Sequence, residues 1–111
     1  MIRLKLIFTL ILLTIVAATG WASSVVAMWE TPREVVTHPW FIATLTDTYL
    51  AFFTFWLWVA YREASVMRSA LWLLLIFATG NMAMAVYVLI ALWRLPQGAS
   101  VEDLLLRPRS R

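Results

Sequence analysis

The sequence predicts an all-α integral membrane protein: a three-helix bundle with short interfacial helices in the first connector and the C-terminal tail. Three observations predict it. Of the 111 residues, 63% are hydrophobic and 14% charged, against about a quarter charged in soluble proteins. Three apolar runs, residues 4–28, 40–61 and 69–93, are each long enough to cross a hydrocarbon core as a helix, which needs about 20 residues. None of the runs alternates as a strand would. The whole chain, 1–111, reads as a single membrane domain with a tail at 94–111.

The first run follows Arg3 and Lys5 and contains Ala17-Ala18-Thr19-Gly20, a signal-peptide-like pattern. It is longer than the apolar core of a signal peptide, so it reads as a retained helix. In the connector, Thr31-Pro32-Arg33-Glu34 reads as an N-cap, a proline at the first helical position and a glutamate two residues on. This predicts a short helix to about Val36. His38-Pro39 then starts the second span, where a proline costs no hydrogen bond. Arg62 to Arg68 is short enough for an antiparallel turn, with its arginines snorkelling to headgroups. Pro96 and Gly98 stop the third helix, and Ser100-Val101-Glu102-Asp103 opens one or two turns of interfacial helix.

The basic residues give a divided answer on orientation. With the N-terminus inside, the inner side carries Arg3, Lys5, Arg62 and Arg68; the outer side carries Arg33, Arg94 and the tail arginines 107, 109 and 111. Weighting charges near the first helix favours N-terminus inside and C-terminus outside, in a bacterial inner membrane. Trp29, Trp40 and Trp93 then mark one interface, and Trp56, Trp58, Tyr61 and Trp72 the other.

Asp47 is the most informative residue, because an acid inside a span is costly unless it faces protein or water. It lies on a seam with Thr44, Ala51, Thr54 and Trp58. Ala17, Gly20, Ser24 and Ala27 form a second seam, and Gly80, Met84, Tyr87 and Ala91 a third. Small residues at this spacing let helices approach closely, which marks Ala17, Gly20, Ala51 and Gly80 as packing positions. If three spans alternate in direction, Asp47 lies level with Ser23, Ser24 and Tyr87. A polar intramembrane cluster of Ser23, Ser24, Asp47 and Tyr87 is expected, with Asn81 hydrogen-bonding across helices nearer the middle. Such a cluster serves as interhelical glue, as a ligand or proton site, or as the contact for another protein.

His38, the only histidine, reads first as a helix cap and second as a candidate axial ligand for haem or chlorophyll. One imidazole, with no cysteine, is not a metal-site signature. No HExxH, GxSxG or phosphate-cradling glycine loop occurs. No catalytic residue, resident cofactor or metal is therefore expected. The basic residues do not interleave with exposed aromatics as a nucleic-acid surface requires.

The stretch from Pro39-Trp40 through Thr44, Asp47 and Tyr49, the later Trp58-Val59-Ala60-Tyr61-Arg62-Glu63, and Leu71-Trp72 before Gly80-Asn81 resemble a family of small membrane proteins. That family is catalogued as domain of unknown function 1475. The resemblance runs from about Trp29 to Trp93. It implies a three-span helical fold with no established activity, and marks Trp40, Thr44, Asp47, Tyr49, Trp58, Glu63 and Gly80 as key positions.

The leading expectation is a non-catalytic accessory or assembly subunit of a larger membrane complex, of respiratory or photosynthetic type. Its partners would be lipids and other integral membrane subunits. The aromatic faces at Phe52, Phe53, Phe55 and Trp56 could contact protein, lipid, quinone, carotenoid or chlorophyll. The alternatives are a small oligomeric transporter or proton-linked channel using Asp47, and a membrane enzyme acting on a lipid or polyene through Asp47 and Tyr87.

Overall fold

Long apolar stretches without helix breakers produce the two longest elements. A computed structural model describes residues 2–107, so Arg109 and Arg111 of the tail lie outside the described residues. Within them the chain forms helices α1 (Ile2–Val25), α2 (Arg33–Val36), α3 (Pro39–Arg62), α4 (Val66–Thr79), α5 (Asn81–Arg94) and α6 (Val101–Leu105), with a 3-10 turn at Met28–Glu30. No strand occurs among the described residues. Helices α1 and α3 have 24 residues each and are long and apolar enough to cross a membrane.

Local chemistry sets the element ends. His38 caps α3, its Nδ1 accepting from Trp40 N–H at 3.2 Å, and Pro39 takes the first helical position. Ser65 caps α4 by accepting from Arg68 N–H at 3.3 Å. In α6 the Asp103 carboxylate accepts from Ser100 N–H at 2.8 Å, as the capping-box pattern anticipates. The short helix α2 also forms, but Thr31 does not cap it; its hydroxyl donates to Met28 O instead.

The third apolar run is not one helix. It divides at Gly80 into α4 and α5 of 14 residues each, which fold back on one another. The Trp72 and Tyr87 rings meet edge to face at 4.9 Å, whereas a straight helix would hold these residues about 22 Å apart. Arg68 and Arg94, at the two far ends, line one cavity. The turn is built on Gly80, with φ +60° and ψ −123°, a conformation open essentially to glycine. Glycine is also needed for space, because a Cβ here would lie 2.7 Å from the Phe52 ring. The expectation of three straight spans is corrected accordingly: two long helices accompany a helical hairpin whose arms are each about 21 Å long.

The core lies between the hairpin and the second half of α3. Phe52, Val59, Ile76, Ala83 and Tyr87 form one buried cluster. Val88, Ala91, Leu92 and Leu104 form a second, covered by Leu4 and Phe8 of α1. Tyr49 supports the turn: its ring packs edge to face on Phe52 and Phe77, and its hydroxyl donates to Phe77 O at 3.4 Å. That contact occupies one of the carbonyls that the end of α4 leaves without an intrahelical partner.

The fold-back brings most of the basic residues to one end. Lys5 Nζ sits 4.1 Å above the Trp93 ring, so the start of α1 lies beside the end of α5. Helix α6 returns to the end of α3. Trp58 Nε1–H donates to Leu105 O at 3.0 Å, and Arg107 Nε–H donates to Tyr61 O at 2.7 Å. Arg3, Lys5, Arg62, Arg68, Arg94 and Arg107 therefore share one end, and among the described residues only Arg33 lies toward the other. Trp93 belongs with Trp58 and Tyr61 at this end, not with Trp29 and Trp40.

Candidate functional site

The residues singled out from the sequence do not form one cluster. Ser23 and Ser24 are exposed on α1, and Ser24 Oγ–H donates to Trp21 O of its own helix. Asp47 is exposed on α3. Tyr87 is buried, and its hydroxyl accepts from Arg62 Nη1 at 3.1 Å. Arg62 follows Asp47 by fifteen positions, about 22 Å along α3. The level-matching argument fails here because it takes the third run as a straight crossing, and the hairpin carries Tyr87 back toward the end of α3. Asn81 is exposed beside Thr14 and Ala18 of α1, and no hydrogen bond from its side chain to another helix forms among the described residues. Of the packing positions, Gly80 is in close contact; Ala17, Gly20 and Ala51 are exposed.

The structure instead builds two separate features. The first is an aromatic box at the base of the hairpin. Phe55, Trp58 and Trp72 each meet the Tyr87 ring edge to face, at centroid distances of 6.2, 5.7 and 4.9 Å. The Arg62 guanidinium reaches into this box, 5.5 Å from the Trp58 ring centroid and 5.6 Å from that of Tyr87. Arg62 is only 2% exposed, so it does not snorkel into headgroups as expected from its position. Among the described residues its Nε–H has no hydrogen-bond acceptor, and a buried unpaired donor costs about 1–3 kcal/mol. The stacked rings offset this, at about 0.5–2 kcal/mol per desolvated cation–ring contact. One sequence signal was available: Phe55, Trp58 and Arg62 follow at spacings of three and four, on one helix face.

Arg62 also lines a cavity of about 240 Å³ with Glu63, Arg68, Trp72, Tyr87 and Arg94. It lies where α3 turns into α4 and α5 ends. Three guanidinium groups and one carboxylate give it a net positive lining.

The second feature is the face of α3 that carries Asp47. Thr44, Asp47, Ala51 and Thr54 are all exposed. The threonine hydroxyls at 44, 46, 48 and 54 each donate to a carbonyl four residues back, satisfying themselves within the helix. The Asp47 carboxylate has no hydrogen bond or ion pair among the described residues. The hairpin turn at Gly80 is level with Phe52, so the half of α3 before Phe52 rises past the hairpin.

His38 uses its Nδ1 lone pair to cap α3. A metal bound at Nδ1 would displace the cap, and one bound at Nε2 would require the tautomer in which Nδ1 carries the proton and no longer accepts from Trp40. Three of the four aromatics expected to contact cofactors or lipid are buried or partly buried within the chain. Phe52 packs on Gly80, Phe55 on Tyr87, and Trp56 Nε1–H donates to Ser69 O at 2.8 Å; Phe53 remains 43% exposed.

The family model for proteins of unknown function DUF1475 matches residues 1–110. The chain belongs to the DUF1475 family. The match takes in α1 and the segment after Arg94, so the DUF1475 unit is wider than the Trp29–Trp93 stretch that carries the resemblance. Both the hairpin and α6 fall within it. No curated protein and no solved structure matches the chain.

Proposed function

We propose that this protein is a non-catalytic accessory subunit of a larger membrane complex, held by two crossings, α1 and α3, and a re-entrant hairpin, α4–α5. Lengths support this reading. Helices of 24 residues extend about 36 Å against a hydrocarbon core of about 30 Å, while the 14-residue arms reach only about 21 Å. The charge distribution supports an orientation. The end with six of the seven described basic residues is the cytoplasmic one under the positive-inside rule. This orientation keeps the N-terminus inside and moves the tail inside with it. Single cysteines, introduced at Ala64, Ser100 and Thr31 in a chain that has none of its own, check it. An impermeant maleimide applied to intact cells should label Thr31→Cys alone; labelling of Ser100→Cys would refute the shared side.

The observation that carries the subunit reading is the exposed Asp47 face. Asp47 is eight positions into α3, about 12 Å from its start. A carboxylate costs up to about 2.5–3.5 kcal/mol at the bilayer centre and less near the interface. Flanked by self-satisfied threonines and Ala51, it suits a partner helix that approaches closely and offers a basic side chain or hydrogen-bond donor. The partner is thus another integral membrane protein. Purification in mild detergent should recover the chain in a hetero-complex, and Asp47→Leu should reduce recovery of that complex at least fivefold. A wild-type chain that is solitary in native membranes would overturn the proposal. So would a proton or solute flux from the purified protein that Asp47→Asn abolishes, which would favour the channel reading.

A further inference from the structure

We propose that the cavity at the base of the hairpin binds a phosphate group, presented by an anionic lipid headgroup or as free phosphate. The site is separate from the Asp47 face and does not depend on a partner protein. Its wall combines residues from three helices: Arg62 from the end of α3, Arg68 and Trp72 from α4, and Tyr87 and Arg94 from α5. Glu63, in the turn after α3, contributes one carboxylate to the same wall. Three guanidinium groups outweigh it, and their planar forks match phosphate oxygens.

The independent observation is Arg62 itself. A side chain 98% removed from solvent lines the cavity with its Nη1 fixed on the Tyr87 hydroxyl, and its Nε–H has no acceptor among the described residues. The aromatic box holds the guanidinium in place, so its positive charge at the cavity wall is pre-organised for an anion. The cavity's 240 Å³ holds a phosphate with room to spare. Its position at the end rich in basic residues is where a headgroup of the inner leaflet would sit in the orientation proposed above.

Native mass spectrometry of the full chain, released from nanodiscs, tests this. Discs of phosphatidylcholine containing one-fifth phosphatidic acid are compared with discs of phosphatidylcholine alone, the latter with and without millimolar inorganic phosphate. The expected result is one retained phosphatidic acid, favoured at least tenfold over phosphatidylcholine. Arg68→Gln with Arg94→Gln should remove that preference; both side chains are exposed, so the core is left intact. Arg3→Gln with Lys5→Gln removes equal charge at the same end outside the cavity and should preserve it. Retention of inorganic phosphate, lost in the Arg68/Arg94 variant, would identify the free ion as the ligand. The proposal is overturned if wild-type protein retains neither species selectively. It is also overturned if the two double variants lose selectivity equally, which would reduce the effect to general surface charge.

Discussion

Replacing Gly80 with valine should undo the hairpin and send the tail to the opposite side of the membrane. Two independent costs act at this one position. A side chain at φ +60°, ψ −123° adopts a backbone conformation that costs of the order of 1–3 kcal/mol for a residue with a Cβ. That Cβ would also lie 2.7 Å from the Phe52 ring, well inside contact distance. Straightening relieves both. The segment Val66–Arg94 would then be one continuous apolar helix of about 43 Å by helical rise, long enough to cross. A cysteine at Ser100 should accordingly change from protected to labelled when Gly80→Val is introduced into the same chain. Gly80→Ala combined with Phe52→Leu should recover only part of the loss, because the smaller ring substitute relieves the clash and leaves the backbone cost. Unchanged labelling of Ser100→Cys in the valine variant would show that the turn does not depend on glycine.

Arg62 gives the second large effect, and the choice of replacement separates charge from volume. Arg62→Ala removes two ring contacts and a hydrogen bond from a charged donor, and opens space beside Trp58 and Tyr87. A loss of roughly 3 kcal/mol is expected from these combined terms. Arg62→Met fills most of the space and leaves no unpaired guanidinium, so it should cost only about 1 kcal/mol, as hydrophobic replacements of buried charges often do. Arg62→Lys should behave more like alanine, since an ammonium group neither stacks nor forks. Tyr87→Phe should cost about 1–2 kcal/mol through the lost acceptor. Loss of helical signal in mixed micelles with increasing denaturing detergent measures all four. An order in which lysine is the mildest replacement would show that the site needs charge alone.

Helix content was legible in the sequence because it follows from uninterrupted apolar runs and from caps such as His38-Pro39 and Ser100. The break in the third run was marked only by Gly80, and a lone glycine inside an apolar helix is common in membrane proteins. Its meaning depends on Phe52, twenty-eight positions earlier, which no local pattern reveals. The same long-range packing explains why Tyr87 pairs with Arg62 rather than lying level with Asp47. Asp47 itself was recognisable as unusual from residue type and depth alone. What sequence spacing could not supply was the height of the hairpin, which decides that its face of α3 is left uncovered.

The returning helix α6 also imposes a schedule on synthesis. The Trp58 indole and the Tyr61 carbonyl receive their partners from Leu105 and Arg107, 47 and 46 positions downstream. Leu104 closes the second core cluster from the same short helix. A nascent chain can therefore form α1 and α3 early, yet the end of α3 stays unlatched until α6 has left the ribosome. Until then the Trp58 indole lacks its partner, and quality control that probes unpaired tryptophan would read the chain as not yet folded.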